Sequence, residues 1–225
     1  MGRLAKALCV IAVSATLPAG AGDGWSQVLS GPVVVKTRPF HGSVKEIWAE
    51  TDLNASVQDI QAALMDPESF SRFMPYVRES RLVKAVGADG SGYSYVRLEL
   101  PLLTPRDYIV RFHLDQGVAA DGSGPFLNHW EAVPELLPHR PNVIRLRVNQ
   151  GSWLVSPKGE GRCHVVYRFA VDPGGLVLPF AADWGNKSGV SDTLRAVERE
   201  AQRRAAQRRA DTARAQAAPL PHKAR

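Results

Sequence analysis

Cysteine is scarce in this 225-residue chain, with only two residues, and they cannot form a disulfide scaffold. Cys9 lies in an N-terminal segment patterned like a removable leader, which leaves Cys163 alone. Cys163 falls in an alternating strand pattern and is expected to be a small buried hydrophobe, not a reactive thiol. The apolar run Ala7 to Leu17 is too short to cross a bilayer, which takes about 20 residues. Catalytic signatures are missing too. There is no G-x-S-x-G elbow, no Walker A loop and no G-x-G-x-x-G between a strand and a helix. The six histidines (41, 113, 129, 139, 164 and 222) show no H-x-x-x-H spacing, and no C-x-x-C pair accompanies them. The sequence therefore predicts no catalytic residues, no metal and no cofactor. Asp66 and Glu68 sit at a helix terminus, where acids are common for capping and dipole reasons, and the glycines between 87 and 92 read as turn residues.

Net charge is also missing where a nucleic-acid surface would need it. The formal charge is +6, but residues 195–225 alone carry nine basic groups against three acids. Arg3 and Lys6 add two more at the other end, leaving 17 basic groups against 19 acids over residues 22–194. A near-neutral body excludes a broad nucleic-acid footprint. The terminal run from Arg199 to Arg214 reads as a solvated helix extension, with transient docking on an anionic membrane surface as the sharper alternative.

What is present is ordinary globular composition, 44% hydrophobic and 22% charged. A positive n-region, a short apolar h-region and the small residues Ala19-Gly20-Ala21 make residues 1–21 a signal peptide on sequence grounds, with Gly22 as the first mature residue. The expected location is periplasmic or secreted. Residues 22–204 then form one domain, and 205–225 a basic Ala/Arg-rich tail.

Val44 to Leu53 alternates as a strand. Asn54 or Ser56 caps a helix from Val57 to Met65, and Asp66-Pro67 stops it, because proline lacks the donor and disfavours helix before it. A second short helix, Glu68 to Met74, ends at Pro75. Strands follow at Arg81–Val86, Tyr93–Leu100, Tyr108–Asp115, Phe126–Val133, within Val143–Pro157, and at Cys163–Asp172. In the second of these, Val96, Leu98 and Leu100 share one face. Beyond Asp172-Pro173-Gly174-Gly175, residues 176 to about 204 read helical, with Val190, Leu194, Val197 and Ala201 as one apolar stripe. Helices segregated from an antiparallel sheet mean an α+β fold. A sheet curled around one long helix leaves a cavity between them.

Several segments, in order, resemble the START/SRPBCC superfamily of lipid-binding and lipid-transfer domains. These are Phe70 to Leu82, Pro105-Arg106-Asp107-Tyr108, Gly151-Ser152-Trp153-Leu154 with Pro157 and Gly161, Asp172-Pro173-Gly174-Gly175 with Pro179, and Asp183-Trp184-Gly185-Asn186-Lys187 through Leu194. Phe73 stands where many relatives have tryptophan. The resemblance implies a helix-grip fold, a curved antiparallel sheet around the C-terminal helix with an apolar tunnel between. It implies a non-enzymatic exported protein that encloses a hydrophobic small molecule such as a lipid, fatty acid or sterol, expected to be monomeric. A polyketide cyclase or aromatase of the same superfamily is the alternative. Trp184 and Asn186 are the leading pocket candidates; Trp48, Trp153 and Tyr167 are candidates to line the cavity. Arg97 and Glu99 share a strand face and are expected either to meet inside the cavity or to pair in solvent. Arg111 stands near the place where sterol-binding relatives carry a pocket arginine. Pro105, Arg106, Asp107, Gly151, Asp172, Pro173, Gly174 and Gly175 are expected to be structural, with Arg106 and Asp107 fixing the start of a strand.

Overall fold

The computed structural model describes residues 24–159, 161–175 and 188–217. The proposed leader and the segment carrying Trp184 and Asn186 lie outside the described residues. The strands are β1 (Ser26–Leu29), β2 (Val33–His41), β3 (Val44–Leu53), β4 (Val77–Lys84), β5 (Ser91–Leu98), β6 (Arg106–Gln116), β7 (Phe126–Ala132), β8 (Ile144–Arg145), β9 (Asn149–Pro157) and β10 (Cys163–Val171). They form one sheet in the order β1-β2-β3-β10-β9-β7-β6-β5-β4, and β8 pairs with β6. Every pairing is antiparallel except that of β8 with β6. The helices are α1 (Val57–Leu64), α2 (Phe70–Phe73) and α3 (Val190–Ala217). This is the α+β helix-grip arrangement the sequence implied.

Period-two alternation sets the faces. In β3, Ile47, Ala49 and Leu53 are buried in the core while Trp48, Glu50 and Asp52 point the other way. Val35, Phe126, Val155, Cys163 and Val165 join them from neighbouring strands. Val190, Leu194, Val197 and Ala201 of α3 close the same cluster from above, the stripe read from the sequence. Cys163 is fully buried, and burial pushes its thiol up to about 12, so it stays protonated.

Local signals explain the boundaries. Ser56 caps α1, its Oγ accepting from the Asp59 N–H at 3.2 Å. Pro67 opens a 3-10 turn, Pro67–Ser69, which leads directly into α2. For α3 the expectation needs correcting at its C-terminal end, since the helix runs on to Ala217. Alanine, arginine and glutamine are strong helix formers, so propensity carries the helix well past the last stripe position. No helix among the described residues is long and apolar enough to cross a membrane.

The basic run is partly anchored. Glu200, 5% exposed, accepts from Arg203 Nε and Arg204 Nε, each at 2.7 Å. Arg204 also reaches Asp66 at 2.6 Å, Ser69 Oγ at 2.9 Å and the Ala62 carbonyl at 3.0 Å, and Arg208 pairs with Asp59. Two of the arginines read as solvated, Arg204 and Arg208, thus tie α3 to α1 and the turn after it.

Candidate functional site: an apolar cavity under the C-terminal helix

A cavity of about 300 Å³ opens between the concave face of the sheet and the helices. Its floor comes from alternating positions of five strands: Ser94, Val96 and Leu98 on β5; Tyr108, Val110 and Phe112 on β6; Asn128 and Trp130 on β7; Asn149 and Trp153 on β9; Tyr167, Phe169 and Val171 on β10. Leu64, Phe70, Met74, Val190 and Thr193 roof it from the helices. Register aligns these side chains: Asn128 sits opposite Trp153, and Trp153 opposite Tyr167.

The aromatic groups form a continuous wall. Trp153 stacks on Tyr167 with ring centroids 3.9 Å apart and planes 6° from parallel, and Tyr167 stacks on Phe169 at 4.6 Å. Trp130 flanks them at 6.0 Å from Tyr167, fixed by donating its indole N–H to Asn149 Oδ1 at 3.0 Å. Gly151 makes room for that indole. A Cβ there would lie 2.4 Å from Trp130 Cζ2 and 2.3 Å from the Arg168 carbonyl.

No Asp, Glu, Lys, Arg or His is among the described residues that line the cavity. Among the described lining residues the only titratable groups are tyrosine hydroxyls, and burial pushes those of Tyr108 and Tyr167 well above the ordinary phenol range, so both remain neutral donors. Asn128, 5% exposed, has a carbonyl oxygen without a hydrogen-bond partner, and its Nδ2 meets only the Met65 sulfur, at 3.9 Å.

Trp153 and Tyr167 therefore stand where the sequence suggested. Trp48 and Arg111 do not, and Arg97 and Glu99 take the second of their two expected arrangements, a pair in solvent: all four lie on the opposite, convex side. Trp48 is an even-numbered residue of β3, whose odd-numbered residues enter the core, and it packs against Trp25 at 5.8 Å and under Arg168 at 5.1 Å. Arg97 and Glu99 meet at 3.0 Å outside the cavity, because Val96 and Leu98 take the inward positions. Arg111 donates to Ser91 Oγ at 3.3 Å and approaches Glu131 at 3.8 Å. Trp184 and Asn186 fall outside the described residues.

The motif residues hold the rim. Buried Arg106 donates to the carbonyls of Pro173 at 3.3 Å and Gly174 at 3.4 Å, and to that of Thr104, tying the start of β6 to the turn after β10. Gly174 and Gly175 adopt φ of 57° and 63° there, where a side chain would be strained. Asp172 Oδ1 accepts from the Gly174 N–H at 3.0 Å. Asp107 is held by a residue the sequence reading missed: Arg145 donates to both carboxylate oxygens, at 2.7 and 3.1 Å, with both side chains at most 2% exposed. Asn128, Tyr108 and Trp130 were missed as well. A legible signal existed for Asn128, the polar member of the inward row Phe126, Asn128, Trp130.

A sheet wrapped on a C-terminal helix over an apolar cavity defines the helix-grip class. No protein-family model matches the chain. An uncharacterized protein of Pseudomonas aeruginosa is 29% identical over 154 residues, which span 68% of this chain and 74% of that one. Among solved structures, a STAR-related lipid transfer protein from Xanthomonas axonopodis superposes with a TM-score of 0.68 at 28% identity, covering 80% of this chain and 99% of its own. Human STARD10 gives a TM-score of 0.71 at 16% identity, covering 90% and 85%. An aromatase/cyclase from a Streptomyces species gives 0.52 at 14%, covering 72% and 96%. The chain thus has the START/SRPBCC helix-grip fold.

Proposed function

We propose that this protein is an exported carrier that binds one lipid-like molecule in the cavity and transfers or presents it. The observation that carries this reading is a cavity walled by stacked aromatics and aliphatic side chains, with no charged group among its described lining. Each buried methylene contributes about 0.8 kcal/mol, so even a medium-length chain offsets the ordering cost of binding. The neighbouring lipid-transfer structures support the same use of the fold. Export rests on the leader-like residues 1–21 and is checked by sequencing the N-terminus of secreted material, expected at Gly22. The experiment that tests binding is native mass spectrometry of protein purified from its own host, followed by organic extraction. A stoichiometric apolar molecule is expected, and no uptake across several lipid classes overturns the reading.

The enzymatic alternative draws on the fold shared with the aromatase/cyclase and on the Tyr108 and Tyr167 hydroxyls in the cavity. Because both are held protonated, they could donate hydrogen bonds to an aromatic precursor but not abstract its protons at neutral pH. Membrane contact through α3 has a narrower basis than the raw charge run suggests, since Arg203, Arg204 and Arg208 already serve acids of the domain. Vesicle flotation of the Arg199→Glu/Arg209→Glu variant tests it. Loss of binding to anionic vesicles at low salt supports the contact, and unchanged flotation removes it.

A further inference from the structure

We propose that the cavity admits electrically neutral amphiphiles, excludes anionic ones, and seats the ligand's hydroxyl or amide N–H on the Asn128 carbonyl oxygen. This rests on the carrier reading above and narrows it to a ligand class.

The argument has two independent parts. The first is the lining. A carboxylate or phosphate drawn into this space would lose its hydration and find no cation among the described lining residues. An isolated ionised group in an apolar environment is strongly disfavoured. The arginines of β5 and β6 cannot help: Arg97 and Arg111 project from the opposite face and are engaged with Glu99 and with Ser91 and Glu131, and Arg106, at the rim, directs its donors to the carbonyls of Thr104, Pro173 and Gly174. The polar groups of the described wall, among them Ser94, Tyr108, Asn128 and Tyr167, are all neutral.

The second part is the unsatisfied amide. Buried polar groups are nearly always paired, and an exception calls for an explanation. Asn128 occupies an inward position, is almost fully buried, and its oxygen has no partner. It stands on the strand row that continues into Trp153 and Tyr167, beside the aromatic wall on which an apolar body would lie. A donor on the ligand would complete the amide, whereas an anion offers only acceptors and would face a like dipole. The inferred ligand is therefore a long or ring-shaped hydrocarbon with a neutral donor at one end.

The test uses the full protein and three probes of equal chain length: dodecanol, dodecanoate and dodecane, with binding followed by calorimetry or indole fluorescence. At neutral pH dodecanol should bind at least roughly tenfold more tightly than dodecanoate, and dodecanoate should gain affinity as the pH falls toward its carboxyl pKa. Asn128→Leu keeps the branched heavy-atom skeleton without the amide and should weaken dodecanol by roughly three- to tenfold while leaving dodecane unchanged or tighter. Asn128→Gln, which retains the amide, should recover part of the dodecanol affinity. Equal or tighter binding of dodecanoate, or equal loss of dodecanol and dodecane in Asn128→Leu, overturns the proposal while leaving the carrier reading intact. Failure of all three probes to bind overturns both.

Discussion

On the concave side of the sheet, five strands present aromatic, aliphatic and neutral polar groups to the cavity; on the convex side, the same strands carry the ion pairs. Tyr167 faces inward and its neighbour Arg168 outward, held by Glu46 at 2.5 Å. Glu46 also accepts from Arg38 Nε at 2.6 Å. Val96 faces inward and Arg97 outward. One residue of register thus separates a surface that repels charge from one that organises it. Ligand-facing groups and ion pairs are placed on opposite faces, so substitutions of the two kinds should differ in their effect on binding, and the sharpest tests are those that cross the divide.

The largest effect is expected at the buried pair on the convex side. Asp107→Ala would leave Arg145 desolvated and without its carboxylate, costing about 3–5 kcal/mol in urea unfolding. Replacing both partners together, as Asp107→Leu with Arg145→Met, should recover most of that loss. A cost below about 1 kcal/mol for Asp107→Ala would mean the pair is no more than a surface contact, and the comparison between the faces would weaken. Next comes Gly151→Ala, where the new methyl meets Trp130 on one side and the Arg168 carbonyl on the other. The expected loss is about 1–3 kcal/mol, with weaker ligand uptake because the indole must leave the wall.

The division between faces was partly legible from residues alone. Alternation in β3 and β5 correctly separated Ile47 from Trp48 and Val96 from Arg97, and the α3 stripe showed which helical residues meet the sheet. Alternation does not say which face is concave. For that reason Trp48 and Arg111 entered the candidate site on chemistry and were misplaced, and Arg97 and Glu99 were left between the cavity and solvent. The Asp107–Arg145 pair was invisible because 38 residues separate its members and only the parallel contact of β8 with β6 brings them together. Asn128 was missed because a strand pattern marks an asparagine as an interruption, not as the polar spot of an apolar wall.

A smaller, pH-dependent effect belongs to the helix that roofs the cavity. Hydrogen bonds from Arg203, and with them those from Arg204, hold the Glu200 carboxyl below its ordinary value of 4.5. A lowered folded-state pKa means stability that is present in full above about 4.5 and is lost as the pH falls through the folded value. Glu200→Gln should therefore cost about 1–2 kcal/mol at neutral pH, and its unfolding curve should converge on that of the native protein in acid. Glu79, lowered by Arg140, acts in the same direction and should keep some acid sensitivity in the variant. Parallel curves at all pH values would show that Glu200 acts by packing alone.

The smallest effect should come from Arg97→Ala, and it probes the comparison from the side where nothing much is expected. Arg97 lies between two inward-facing residues of the cavity floor, so proximity in sequence to the site is as great as it can be. Its guanidinium nevertheless points outward to Glu99 at 3.0 Å, with the arginine side chain 30% and the glutamate 46% exposed. Such pairs contribute about 0.2–1 kcal/mol, and the loss should shrink further in high salt. Probe binding should stay within roughly twofold of the native protein, since small-molecule affinity here depends on the opposite face. A tenfold loss of dodecanol binding, matching that of Asn128→Leu, would bring the convex charges into ligand selection. The separation of the two faces would then fail at the residue where it is most finely drawn.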